Sequence, residues 1–233
     1  MVTFSALFMS VALLQLSTGG VGPLDALTGL SAGFSAAEVG FLGSAHFFGF
    51  FIGCWWAPRL MGSIGHSRAF ASFTALGAIG LAAHVLVTDP YFWAIFRIAT
   101  GICVAGAYTV IEAWLQAKVT NETRGRAMGT YRIVDMSASF VAQLMIGVLA
   151  DMPTYIAYNL LTILCCAAIF PLTLTKSEQP ITPATMRLRP MLAWRASPLA
   201  VAGVLVAALS SAAFRMVGPI YGQEVGLAAN QIG

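Results

Sequence analysis

Arg97, Glu112 and Asp135 sit in stretches that are otherwise apolar enough to cross a lipid bilayer. A charge at the centre of a membrane helix costs roughly 2.5–3.5 kcal/mol on insertion scales, so such residues need partners or a wet cavity. A pathway for a polar solute or an ion is the chemistry they suggest. Arg97, Gly101, Val104, Tyr108 and Glu112 follow one another at intervals of 4, 3, 4 and 4, which places them on one helix face. That face reads as a cavity-lining stripe; the plainer reading of Arg97 is a structural guanidinium bound to a neighbouring helix end. Arg132, Asp135, Ser139, Gln143 and Gly147 share a face of the next span. Asp135 is the candidate protonatable site, its alternative a carboxylate permanently paired with a base. Glu112 and Arg132 are expected at similar depth, as a structural ion pair. Ser211 and Arg215 stand one turn apart on the last span. Arg97 and Arg215 together could hold an anionic solute by charge-assisted hydrogen bonds, unless each pairs with another helix. Gln15, Ser17 and Thr18 are polar candidates on the first span, with Asp25 expected at its mouth. His46 on the second span could sense pH, although a packed, hydrogen-bonded imidazole is the commoner use. Gly101 and Gly106 suit close helix packing, as does the Gly49–Gly53 pair.

The elements that must position these residues follow from composition. The chain has 233 residues, 58% hydrophobic and 9% charged, with mean hydropathy +0.82. Soluble domains carry about 25% charged residues, so this is a multi-span membrane protein in contact with lipid. Cys54, Cys103, Cys165 and Cys166 lie in apolar runs without metal-ligand spacing and read as packing residues. The histidines are scattered, so neither a metal nor another cofactor is expected. No nucleophile–base ordering and no phosphate-cradling loop is present, so an enzyme is not expected, nor is nucleic-acid binding by the basic turn at 118–126.

Seven apolar runs reach the roughly 20 residues needed to span: 3–22, 38–57, 69–88, 91–117, 127–150, 154–175 and 197–220. Ten of the twelve Lys and Arg residues fall in or beside alternate connections: Arg59 and Arg68; Lys118, Arg124, Arg126 and Arg132; Lys176, Arg187, Arg189 and Arg195. The other connections hold Asp25, Glu38, Asp89, Asp151 and Glu224 and no base. Positive-inside bias then puts the N-terminus and the basic connections in the cytoplasm, in a cell inner membrane. Arg59, Arg68, Arg124 and Arg132 are expected in structural or gating roles at that surface. GPLDALTGLSAGFSAAEVG at 22–40 is echoed by GPIYGQEVGLAANQIG at 218–233, so the seventh span reads as a second copy of the first. Such a parallel repeat is the arrangement of two transporter halves. The expected division is a six-helix half over 1–175, a linker over 176–196 and the start of a second half over 197–233. The chain reads as a truncated product, unable to transport alone.

GFSAAEVG (33–40), APRLMGSIGHSRAF (57–70) and RIATGICVAGAYTVIEAWL…TNETRG (97–125) carry a likeness. With them the chain resembles the major facilitator superfamily, in a little-characterised prokaryotic branch, over its whole length. The resemblance implies an all-α polytopic bundle with seven of twelve helices, and secondary active transport of a small solute by alternating access, with a proton as candidate coupling ion. Arg97 takes the superfamily's arginine position on the fourth span. Two features depart from the pattern. The connection over 53–68 lacks the superfamily's usual acid, which puts the inner-gate latch in doubt. The fifth span lacks the proline of drug–proton antiporters. The other functional classes are a membrane-embedded sensor or interaction protein that uses its buried charges for stability, and an inactive transporter fragment.

Overall fold

The computed structural model describes residues 2–175, 180 and 190–227. Ten helices lie within them: α1 (Val2–Thr18), α2 (Val21–Ser31), α3 (Ala36–Ile64), α4 (His66–Ala83), α5 (Pro90–Lys118), α6 (Arg124–Ala150), α7 (Thr154–Ala167), α8 (Ile169–Thr173), α9 (Pro190–Ala196) and α10 (Pro198–Glu224). Lys176, Arg187 and Arg189 of the expected linker lie outside the described residues, as does 228–233, the end of the repeat. Segments 4–31, 36–64, 90–118, 124–150, 154–173 and 198–224 are long and apolar enough to cross a membrane. The expected third span, α4, is not among these six. It is 18 residues long and opens on His66, Ser67 and Arg68, which dilute its hydropathy, yet it packs along α5 and α7. The fold is thus the expected all-α polytopic membrane bundle. Its core is built from α1 to α8, while α10 touches it chiefly through α2. Leu199, Leu209 and Phe214 of α10 are exposed.

The first expected span is corrected. Gly22-Pro23 does not end it; the chain breaks at Gly19-Gly20 and resumes as α2 to Ser31. Pro23 occupies the first turn of α2, where a missing N–H leaves no bond of that helix unmade. Pro23, four residues on from Gly19, has no N–H to give the Gly19 carbonyl. Gln143 of α6 supplies the donor instead, its Nε2 lying 3.2 Å from Gly19 O. A Cβ at Gly20 would lie 3.1 Å from the Ala142 carbonyl oxygen, so small residues at the break let α6 come close enough to do this. Gln143→Leu is expected to lower stability by about 1 kcal/mol, the lower end of the cost of an unpaired carbonyl because this one is part-buried, measured by thermal unfolding in detergent. Gly218-Pro219 likewise lies inside α10, which continues to Glu224 instead of ending near 220.

Two acids counted with the loops are helix caps. Ser35 caps α3, and Glu38 returns the bond to the Ser35 N–H at 2.8 Å, a full capping box. Asp89 caps α5 ahead of Pro90, accepting from the N–H groups of Tyr91 (2.9 Å) and Phe92 (3.1 Å).

Water drives no helix association inside lipid, so close backbone approach has to hold the bundle. The α3–α5 pair, running parallel, shows how. A Cβ on Gly49 would overlap the Ile98 carbonyl, and one on Gly101 the His46 carbonyl. One on Gly53 would sit 2.7 Å from Ile102 O. Gly106 lies beneath the Phe73 ring of α4 in the same way.

Candidate functional site

Three polar stations lie along α5. At 1.5 Å rise per residue, Arg97 and Tyr108 are about 16 Å apart and Glu112 lies about 6 Å further on.

The middle station joins α1, α5 and α6. Tyr108 Oη is 2.5 Å from Gln15 Oε1 and 2.7 Å from Asp135 Oδ1. Asp135 is 5% exposed. Its other oxygen, Oδ2, faces Arg132 Nη1 at 3.4 Å, from a side chain that is 60% exposed. A phenol has one hydrogen, so it donates to only one of its two neighbours. Two arrangements satisfy every group. With Asp135 ionised, Tyr108 donates to it, and the Gln15 amide, turned over, donates its Nε2–H to Tyr108. With Asp135 protonated, the carboxyl donates to Tyr108 and Tyr108 donates to Gln15 Oε1. Ser139, one turn along α6, is buried.

The second station corrects the expected Glu112–Arg132 pair. Glu112 Oε1 accepts from the hydroxyl of the buried Tyr131 at 3.0 Å. Arg132 turns instead to Asp135 and lies over the Tyr131 ring, 5.5 Å from its centroid. Glu112 and Arg132 thus meet different parts of Tyr131, its hydroxyl and its ring face.

The third station corrects the reading of Arg97 as cavity-lining. Its side chain is enclosed, 4% exposed, with Nε 3.3 Å from Asp25 Oδ2. Asp25, expected at a loop mouth, is 1% exposed on α2. Tyr158 of α7 donates its hydroxyl to Asp25 Oδ1. His84, at the end of α4, stacks on Tyr158 with centroids 4.8 Å apart and places Nε2 3.8 Å from Asp25 Oδ2. The cationic charge of Arg97 is therefore compensated from within the bundle. The residue spacing gave no sign of Asp25, His84 or Tyr158 as a group. Asp25 and Thr28 share a face only if the helix resumes through Pro23, and Gly-Pro reads as a stop.

The remaining candidates are dispersed. His46 is half-buried, edge-on to Phe47 at 5.6 Å. Arg59 is held by its own helix, with Nη1 2.6 Å from Trp55 O and its guanidinium 3.9 Å from the Trp55 ring centroid. Arg68 and Arg124 are exposed at the basic end. The side chain of Arg215 lies outside the described residues.

Comparison with known proteins bears on the family and the fold. The sequence model of the Major Facilitator Superfamily matches residues 6–233. The "Uncharacterized MFS-type transporter YcaD" of Salmonella heidelberg (strain SL476) is 24% identical over 229 residues, covering 97% of this chain and 60% of that protein. Its counterpart from Escherichia fergusonii is 25% identical over 199 residues, covering 84% and 52%. The chain thus spans about 60% or less of the length of these relatives. Among solved structures, a D-xylose–proton symporter superposes with a TM-score of 0.69 at 12% identity, covering 98% of this chain and 63% of that one. An auto-inhibited POT family peptide transporter gives 0.64 at 16%, covering 94% and 52%. At these identities the superpositions speak for the fold alone. With the family match running almost from end to end over a bundle of membrane-spanning helices, the chain is a multi-pass membrane protein and belongs to the major facilitator superfamily.

Proposed function

We propose that this chain contributes the first half, and the start of the second, of a secondary active transporter that moves a small solute by alternating access. Asp135 carries the coupling proton. The observation that carries the reading is the middle station. Gln15, Tyr108 and Asp135 can satisfy their hydrogen bonds with the carboxyl either charged or neutral, so a proton can come and go without stranding a buried polar group. The exposed Arg132 beside Asp135 leaves that station open on one flank. Division into a half over 1–175, a linker over 176–196 and a second half from 197 is supported by α10, which stands off the core with its apolar faces uncovered. The one-sided placement of bases supports a cytoplasmic N-terminus in the inner membrane. A solute anion held by Arg97 loses support, because Asp25 already neutralises that guanidinium.

Asp135→Asn keeps the acceptor for Tyr108 and removes the titratable proton. Reconstituted with the second half present, and with a solute chosen by its ability to raise the unfolding temperature, this variant is expected to lose proton-driven accumulation while still exchanging solute down its gradient. Undiminished accumulation would remove Asp135 as the carrier.

A further inference from the structure

His84 has a fixed tautomer. Its Nδ1 lies 2.7 Å from the Gly80 carbonyl oxygen, and a carbonyl can only accept, so Nδ1 carries the hydrogen. In the neutral ring Nε2 is then a bare lone pair, and it points at Asp25 Oδ2, 3.8 Å away. Two acceptors face each other in a buried site. Among the described residues neither atom makes a hydrogen bond, and Arg97 Nε, 3.3 Å from the same oxygen, makes none either. Three unsatisfied polar atoms thus converge on one point inside four packed helices. Buried polar groups left this way are rare and are usually completed by something small. A proton on Nε2 is the smallest group that turns the repulsive pair into a bond.

We propose that His84 Nε2 and Asp25 Oδ2 form a proton-binding site, in which the proton makes a new N–H bond on His84 and draws Asp25 from Arg97 toward the imidazolium. The cluster's formal charge then rises by one, from the neutral Asp25–Arg97 pair to the same pair plus a histidinium. The charged and titratable groups facing the ring are Asp25 from α2, Arg97 from α5 and Tyr158 from α7; α4 itself adds none. Entry is short. A crevice of about 340 Å³ is lined by Thr28, His84, Trp93 and Tyr155. From it Thr28 Oγ1 reaches Tyr158 Oη at 3.3 Å, and that hydroxyl reaches Asp25. Because Asp25 Oδ2 is shared between Arg97 and His84, the proton exchanges an α2–α5 tie for an α2–α4 tie. The site does not rest on Asp135 or on transport.

The test is solid-state nitrogen NMR of the chain, labelled in histidine and placed in lipid bilayers, with His84 assigned by its through-space contact to the Tyr158 ring. The expected result is a neutral ring with hydrogen on Nδ1 at alkaline pH and a doubly protonated ring on acidification. Asp25→Asn is expected to weaken proton binding roughly tenfold or more, and Arg97→Gln to strengthen it, since an opposite charge at this range favours the protonated ring and a like charge opposes it. A His84 that stays neutral with hydrogen on Nδ1 across the acid range would overturn the proposal, leaving a water as occupant of the gap. So would a proton affinity that neither substitution moves. The wild-type titration decides the first point even if a variant does not fold. No solute transport enters the readout, so failure here and failure of the Asp135 reading are told apart.

Discussion

Gly101→Val is expected to abolish folding of the bundle, and Gly49→Leu to do the same from the opposite side of the contact. The α3 and α5 backbones touch through these two residues. A Cβ on Gly101 would enter the His46 carbonyl and lie 2.8 Å from Phe50 N, and one on Gly49 would enter the Ile98 carbonyl. The obstructing atoms are backbone, which no rotamer change moves aside, so the helices must separate along their shared length. Overpacking of a well-filled core costs about 1–3 kcal/mol when side chains can adjust; here the loss should lie at or above the top of that range. Even Gly101→Ala should be strongly destabilising. Gly125 and Gly129 of α6 are the controls. Nothing lies within 4 Å of a Cβ at either, so alanine there should be neutral or stabilise by up to about 1 kcal/mol through helix propensity. Unfolding midpoints in detergent, followed by tryptophan fluorescence, would show the contrast. Equal midpoints for Gly101→Ala and Gly129→Ala would contradict the packing.

Arg97→Gln and Asp25→Asn should each cost about 3–5 kcal/mol, the penalty for leaving one member of a buried ion pair uncompensated. In combination the two should cost less than their sum by about 0.5–3 kcal/mol, because the second substitution removes the charge stranded by the first. The three residues around Asp25 come from three other helices, so the loss should appear as global unfolding and not as fraying of α2. Additive losses in the double-mutant cycle would mean that the 3.3 Å approach contributes no coupling, and Arg97 would then be read as held by packing alone.

Much of this architecture was legible beforehand because membrane insertion writes itself into composition. Apolar runs of spanning length, the alternation of basic and acidic connections and the long segment from Arg97 to Gly125 are local properties of the chain. The runs over 38–57, 91–117 and 127–150, and the segment from Arg97 to Gly125, lie within helices and one turn of the structure. Tyr108 and Asp135 stood out likewise as a hydroxyl and a carboxylate on adjoining apolar helices, and the structure joins them by a hydrogen bond of 2.7 Å. Spacing could not rank the partners. Arg132 looked suited to Glu112 by depth, yet Glu112 accepts from the Tyr131 hydroxyl, and Arg132 meets the carboxylate on its own helix. Depth is a one-dimensional quantity; the rotation of α6 about its axis decides which group faces which.

The residues thus determined by themselves that the chain is a helical membrane bundle with charges sunk in its spans, because hydropathy and period are summed over single segments. Only the tertiary structure decided that Gly-Pro resumes a helix instead of ending it, since the Gln143 donor that satisfies the break arrives from more than a hundred residues away. With that break placed, Asp25 moves from a presumed loop into the bundle, where Arg97, His84 and Tyr158 converge on it from three other helices.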